Sequence, residues 1–236
     1  MNSEENEEAN QKALESLKRE YSLKSHSIDK IELIQLIAER FPNQGNSFLV
    51  DQYKTEKDWK VRREIIKAVA KGNISEAVPF FIEALNDSNL KSKKTAIKLL
   101  GEAGAAKALN PLINLLQYGK VDYYDVLMDS LVKISKGLEL AEITKFLDER
   151  SIYIKRAIPI ILGKLGDKNA EKTLKKLIKD DIPEIRRNAV IALEKLIDEP
   201  EEINIILEAL YDPDLEVRKE AAKVLGKLGD ERPFTP

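Results

Sequence analysis

The sequence predicts an all-α, right-handed solenoid of stacked helical hairpins, and three observations carry that expectation. The first is an internal period. With the segment DPDLEVRKEAAKVLGKLGD from Asp212 as template and Val217 as its anchor, equivalent anchors fall at Val61, Ser92, Tyr123, Ile154 and Ile185, at spacings of 31, 31, 31, 31 and 32 residues. The second is the pattern around each anchor. Apolar residues recur at offsets −2, +4, +5, +8 and +11, so one amphipathic helix carries each anchor. The third is a further apolar set in each unit, Phe81 with Leu85, Leu112 with Leu116, Ile143 with Leu147 and Leu174 with Ile178, which makes a unit two antiparallel helices. Such a hairpin cannot close its own core, so it must stack on its neighbours.

Taken from the N-terminus, Ala9, Ala13, Leu14, Leu17 and Tyr21 form a helical stripe, with Ser3 as candidate N-cap and Glu4, Glu5, Glu7 and Glu8 near the positive end of the helix dipole. Residues 3–22 are therefore expected to form a capping helix, and residues 1–27, with six acidic and four basic side chains, hold the whole net charge of −2. The only histidine, His26, falls in the polar KSHS linker and is expected in solvent. The repeat body spans 28–236. Its first unit, 28–55, is degenerate, with IELIQLIAERF and NSFLVDQY as its helices and Pro42 and Gly45 in its turn.

In the regular units the first helix should cover roughly −5 to +10 and the second roughly +16 to +26. Turns are expected at Gly101 and Gly104, at 163–167 and at 226–230, because a left-handed residue at a helix end costs glycine nothing. Leu100, Leu131, Leu162 and Leu193, all at +8, should be buried. Trp59 occupies the −2 slot of other apolar residues and is expected to pack in the core or at the end of the stack, while Pro159 should bend the first helix of the fourth unit. The last unit, anchored at Val217, lacks a second helix. Ala221, Val224, Leu225 and Leu228 would then face solvent as an apolar stripe, which predicts self-association through residues 217–229 or a natural chain continuing past Pro236.

The runs VRKEAAKVLGKLGD, IKRAIPIILGKLGD and IRRNAVIALEKLID resemble HEAT repeats, in particular the short HEAT-like repeats first named after phycobilisome lyase subunits. The resemblance covers residues 58–236. It implies second helices lining a concave face, where the +22 positions are Glu83, Asn114, Lys145 and Lys176; Lys172 and Lys179 flank the last of these and complete a basic stripe.

Composition narrows the chemistry. With 43% apolar and 34% charged residues the chain can bury a sizeable core. Thirty-nine basic against forty-one acidic residues lack the positive surplus that binding to a phosphate backbone needs. The absence of cysteine removes disulfides, thiolate metal sites and cysteine nucleophiles, and a single histidine removes multi-histidine metal sites. No basic-then-apolar leader opens the sequence and no apolar run approaches the roughly 18 residues of a membrane span, so a cytoplasmic address is expected.

The candidate site comes from one broken pattern. Five residues before the anchors stand Glu56, Asp87, Tyr118, Glu149, Asp180 and Asp212, and one after stand Arg62, Lys93, Tyr124, Lys155, Arg186 and Arg218. Acid matches base in five units of six, which reads as a structural tie between loops and helices. In the third unit both members become tyrosine, beside Tyr123 at the anchor itself and with Tyr153 one unit on. Tyr118, Tyr123, Tyr124 and Tyr153 are thus a candidate aromatic partner surface, and Lys145, Lys172, Lys176 and Lys179 a candidate surface for an acidic partner. The expectation is a non-catalytic scaffold or adaptor without cofactor, binding another protein. The repeat subtype implies one alternative, a bilin-lyase-like chromophore-attachment subunit. HEAT-like DNA glycosylases also resemble the chain, but they use concave tryptophans and a positive face, and this chain has one tryptophan and a neutral body. HEAT-repeat metal hydroxylases need several His–Glu pairs, which His26 alone does not supply.

Overall fold

The structure, a computed structural model, describes residues 3–119, 121–197 and 203–230, and among them every regular element is a helix. They form two compact units, the described residues within 1–108 together with 125–130, and the described residues within 109–124 and 131–236. The first unit holds α1 (Ser3–Leu23), α2 (Ser27–Arg40), α3 (Asn46–Thr55), α4 (Trp59–Val69), α5 (Val78–Ala84) and α6 (Leu90–Ala103). The second holds α7 (Leu109–Asn114), α9 (Leu140–Thr144), α10 (Ile152–Leu165), α11 (Glu171–Leu177), α12 (Pro183–Leu193), α13 (Asn204–Ala209) and α14 (Leu215–Asp230). The remaining helix, α8 (Tyr124–Ser135), supplies 125–130 to the first unit and its other residues to the second.

Within each unit, helical hairpins stack as the period requires. In the first, α4 packs between α2 and α6, with α3 and α5 as the second helices; in the second, α12 packs between α10 and α14, with α11 and α13 as the second helices. The +8 leucines Leu100, Leu131, Leu162 and Leu193 are fully buried, as are Val61, Ile65, Ile158 and Ile185. At the N-terminus Leu14 and Tyr21 of α1 are buried, and the Tyr21 ring meets Phe48 edge-on at 5.5 Å. His26 is exposed.

Four expectations need correction. First, most first helices begin at −2 rather than −5, because the residues before them form a cap. The −3 side chain accepts from helix amides, as Asp58 from Lys60 N, Asn89 from Lys91 N and Ser92 N, and Asp214 from Glu216 N and Val217 N. The −2 slot is thus the first helical residue and lies at the stack's surface. Leu90, Ile152 and Leu215 are exposed there, and Trp59 is half-buried with the Lys91 ammonium 5.2 Å from its ring centroid.

Second, the two glycines of each repeated turn do different work. Gly104 (φ 58°) and Gly166 (φ 68°) are left-handed helix ends, as expected. Gly101 and Gly163 lie inside α6 and α10, where a Cβ would come within 2.7 Å of Ser130 Cα and Ala192 Cα respectively, so they permit close helix approach. Gly226 and Gly229 make no turn, since α14 runs through them to Asp230.

Third, most of the C-terminal apolar stripe is covered within the chain. Ala221, Val224 and Leu228 are buried because α14 lays that face on α12 and α13 of the preceding repeat, while Leu225 is half-buried, so the continuous exposed stripe expected there is not formed. Fourth, α8 starts at Tyr124, three residues later than the −2 register predicts, and 121–123 form a turn instead. Pro159 is buried inside α10, where it deletes one helix N–H but leaves the helix continuous from Ile152 to Leu165.

Candidate functional site

The recurring acid and base form a clamp that reaches from one repeat to the next. Arg62 Nη1 donates to the carbonyls of Glu56 and Lys57 in its own unit, at 3.2 and 2.9 Å. Its Nε and Nη2 grip both oxygens of Asp87 in the following unit, at 2.8 and 2.9 Å. Asp87 in turn accepts from the Asn89 amide and the Tyr53 hydroxyl. The same geometry recurs where Arg186 Nη1 donates to the carbonyls of Asp180 and Asp181 while Nε and Nη2 hold Asp212 at 2.7 and 2.8 Å. Lys30 plays the part for Glu56, at 2.7 Å. Bidentate pairs of this kind are strong because the planar fork matches the carboxylate.

These contacts set the carboxyl groups. The Arg186 guanidinium holds Asp212 below the usual carboxylate range. Burial alone would raise Asp87 and Glu56, but hydrogen bonds from Arg62 to the first and from Lys30 to the second outweigh it and leave both lowered. Beside Glu56, the buried Tyr21 hydroxyl is pushed up to about 12, chiefly by burial and then by the Glu56 charge.

The third unit departs from this clamp and opens a cleft. Because the pair joins successive units, Tyr118 and Tyr124 replace members of two different pairs, not of one. Tyr124 stands at the +1 position that Arg62 and Arg186 occupy in their units, and the segment before α8 leaves the helical path through Gly119 at φ 84° and the turn over 121–123. Tyr153 fills part of the space. A Cβ on Gly119 would come within 3.0 Å of the Tyr153 ring, so only glycine lets the ring lie there.

The resulting cleft encloses about 240 Å³. Tyr124, Tyr153, Leu116 and Ile160 supply its aromatic and apolar walls, and Arg156, Arg187 and Asn188 its polar ones. Asn188 is buried and donates to the Arg156 carbonyl at 2.9 Å, which fixes α12 against α10. Arg156 meets Glu184 only at 3.7 Å, across a pair open to solvent. Arg187 Nε is buried with no hydrogen-bond partner. A buried donor left unmade costs about 1–3 kcal/mol, so this side of the cleft favours an acceptor.

The sequence-predicted residues divide accordingly. Tyr124 and Tyr153 meet in the cleft, with Tyr153 45% exposed. Tyr123 is half-buried at the N-cap of α8 and outside the cleft lining, and the Tyr118 side chain lies outside the described residues. Lys172, Lys176 and Lys179 line one open groove on α11 together with Lys168 and Lys175, whereas Lys145 is not part of that groove and rests over the Phe146 ring at 5.1 Å. Arg156 and Arg187 were not singled out from sequence. Their signal is present, since both stand at +2 in consecutive units.

Among the described residues no group of histidine, cysteine or carboxylate side chains could hold a metal ion, and no helix is long and apolar enough to cross a membrane. Family comparison matches HEAT repeats over residues 46–125 and 140–214, and a HEAT repeat over 203–231. The chain is 30% identical over 94 residues to the bilin biosynthesis protein PecE of Nostoc sp., a match that covers 39% of this chain and only 37% of that protein. Among solved structures it is similar to human deoxyhypusine hydroxylase in complex with glycerol, at 11% identity, TM-score 0.45 and coverage of 96% and 99% of the two chains. It is also similar to the complex of CpcE and CpcF of phycocyanin lyase from Nostoc sp., at 21% identity, TM-score 0.42 and coverage of 78% and 77%. With matched models spanning more than half its length and the period, hairpins and clamp in place, the chain belongs to the HEAT-repeat family.

Proposed function

We propose that the chain is a non-catalytic adaptor that binds another protein through its second compact unit. The observation that carries this reading is the cleft beside Tyr153. It lies where the acid–base sequence pattern of the repeats is replaced by tyrosine, it combines tyrosine and arginine, and it contains a buried arginine donor with no partner. Tyrosine and arginine are enriched where protein interfaces concentrate their energy. The groove lined by Lys172, Lys176 and Lys179 adds positive charge in the same unit and suits a partner with an acidic surface. The test is to recover the bound protein from the native source, identify it by mass, and measure its affinity for the wild type and for Tyr153→Ala. The expected result is weakening of at least about tenfold, the usual size for an interface anchor. Unchanged affinity for Tyr153→Ala and for a triple charge reversal at the three lysines would reject the reading.

A second reading, a subunit for attaching bilin chromophores, is favoured by the similarity to the bilin biosynthesis protein PecE over 94 residues. Expression in bilin-producing cells would test it. A visible absorption band that co-elutes with the chain supports it, and a colourless product rejects it.

A further inference from the structure

We infer that the cleft between Gly119, α10 and α12 receives the side-chain carboxylate of an aspartate or glutamate on the bound protein, a step that rests on the adaptor reading above. Size gives the first reason. About 240 Å³ lies below the roughly 300–1,000 Å³ of pockets that enclose whole small-molecule ligands, so the cleft suits a guest of side-chain dimensions. Charge gives the second. Arg156 and Arg187 both line the cleft, Arg187 Nε is buried without an acceptor, and Glu184, which pairs with Arg156 at 3.7 Å in solvent-open geometry, can be displaced. The molecule itself gives the third. Arg62 and Arg186 each hold an aspartate from the next repeat through Nε and Nη2, so an arginine of this fold already binds a carboxylate through the Nε donor that Arg187 leaves unpartnered. The apolar walls, Tyr153 and Ile160, would cover the methylene groups of the guest and exclude water from the ion pair.

The experiment uses the intact chain with ¹⁵N-labelled arginine and follows the Arg187 Nε–H resonance. Three probes are titrated: the blocked peptide acetyl-Ala-Ala-Glu-Ala-Ala-amide, its Gln counterpart, and inorganic phosphate. The expected result is a saturable shift with the Glu peptide at millimolar concentration, at least about tenfold weaker binding of the Gln peptide, and loss of the shift in Arg156→Gln. Arg187→Lys, which keeps the charge and removes the fork, should weaken the Glu peptide by a similar factor, read from the Tyr153 ring resonances. Equal response to Glu and Gln peptides, or no saturable shift, overturns the proposal, and tighter binding of phosphate than of the Glu peptide replaces the carboxylate with a phosphate guest. These outcomes are separate from those of the adaptor test. A partner that binds the wild type and Arg187→Gln equally overturns the subsite and leaves the adaptor intact, whereas peptide binding without any protein partner overturns the adaptor.

Discussion

At the scale of single residues, the clamp arginines separate two kinds of charge in this chain. Many of its ion pairs lie on exposed helix faces three or four residues apart, such as Lys12 with Glu8 and Lys219 with Glu216, and contribute little. Arg62 and Asp87 differ, with side chains 14% and 0% exposed and every oxygen of Asp87 engaged. Removing only the arginine strands a buried carboxylate, so Arg62→Ala should cost on the order of 3 kcal/mol in denaturant unfolding, while Lys12→Ala should cost under about 0.5 kcal/mol. The register of the core makes a second prediction. Leu162 is fully buried at +8, and Leu162→Ala should lose about 2–5 kcal/mol. A loss below about 0.5 kcal/mol would mean that the side chain is not in the core.

At the scale of elements, one register position carries opposite expectations in two helices. Gly163 and Gly226 both stand at +9 of their units, but a Cβ at 163 would meet Ala192 Cα at 2.7 Å and a Cβ at 226 would meet open space. Gly163→Ala should destabilise by about 1–3 kcal/mol through overpacking. Gly226→Ala should instead stabilise by about 0.5–1 kcal/mol, because alanine is the better helix former. Thermal melts of the two variants decide the point. These elements also show what the sequence could tell. The hairpins and the buried +4 and +8 residues were legible, since burial on one helix face imposes a period. Helix starts were not, because the acid at −5 looks equally well placed for a first turn or for a loop that caps one. Nor was the role of Gly101 and Gly163, since glycine for a turn and glycine for close approach are the same letter. In the cleft, Tyr124 and Tyr153 were found through a break in pattern, while Arg156 and Arg187 conform to the pattern at +2 and acquire their setting only from the displaced start of α8.

At the scale of the whole molecule, pH is the variable that reaches the clamps together. Glu56, Asp87 and Asp212 are all held below their ordinary values in the folded chain, so the stability they contribute is present at neutral pH and is lost as pH falls through the folded values. The melting temperature should therefore fall progressively from about pH 5 downward, the region where unfolded carboxylates take up protons. In Arg62→Gln that fall should be shallower, because Asp87 then titrates closer to its unfolded value. An unchanged slope would remove Asp87 from the account. The clamp also bears on time. Each one joins residues 25 or 26 positions apart, Arg62 to Asp87 and Arg186 to Asp212, so its loop is short and its closure is fast. Folding can then begin at either clamp without waiting for distant chain, and opening can proceed one hairpin at a time. Amide exchange in the helices should accordingly slow in steps of one repeat, with α4 and α12, each gripped by a clamp and flanked on both sides, the last to trade their protons for deuterium.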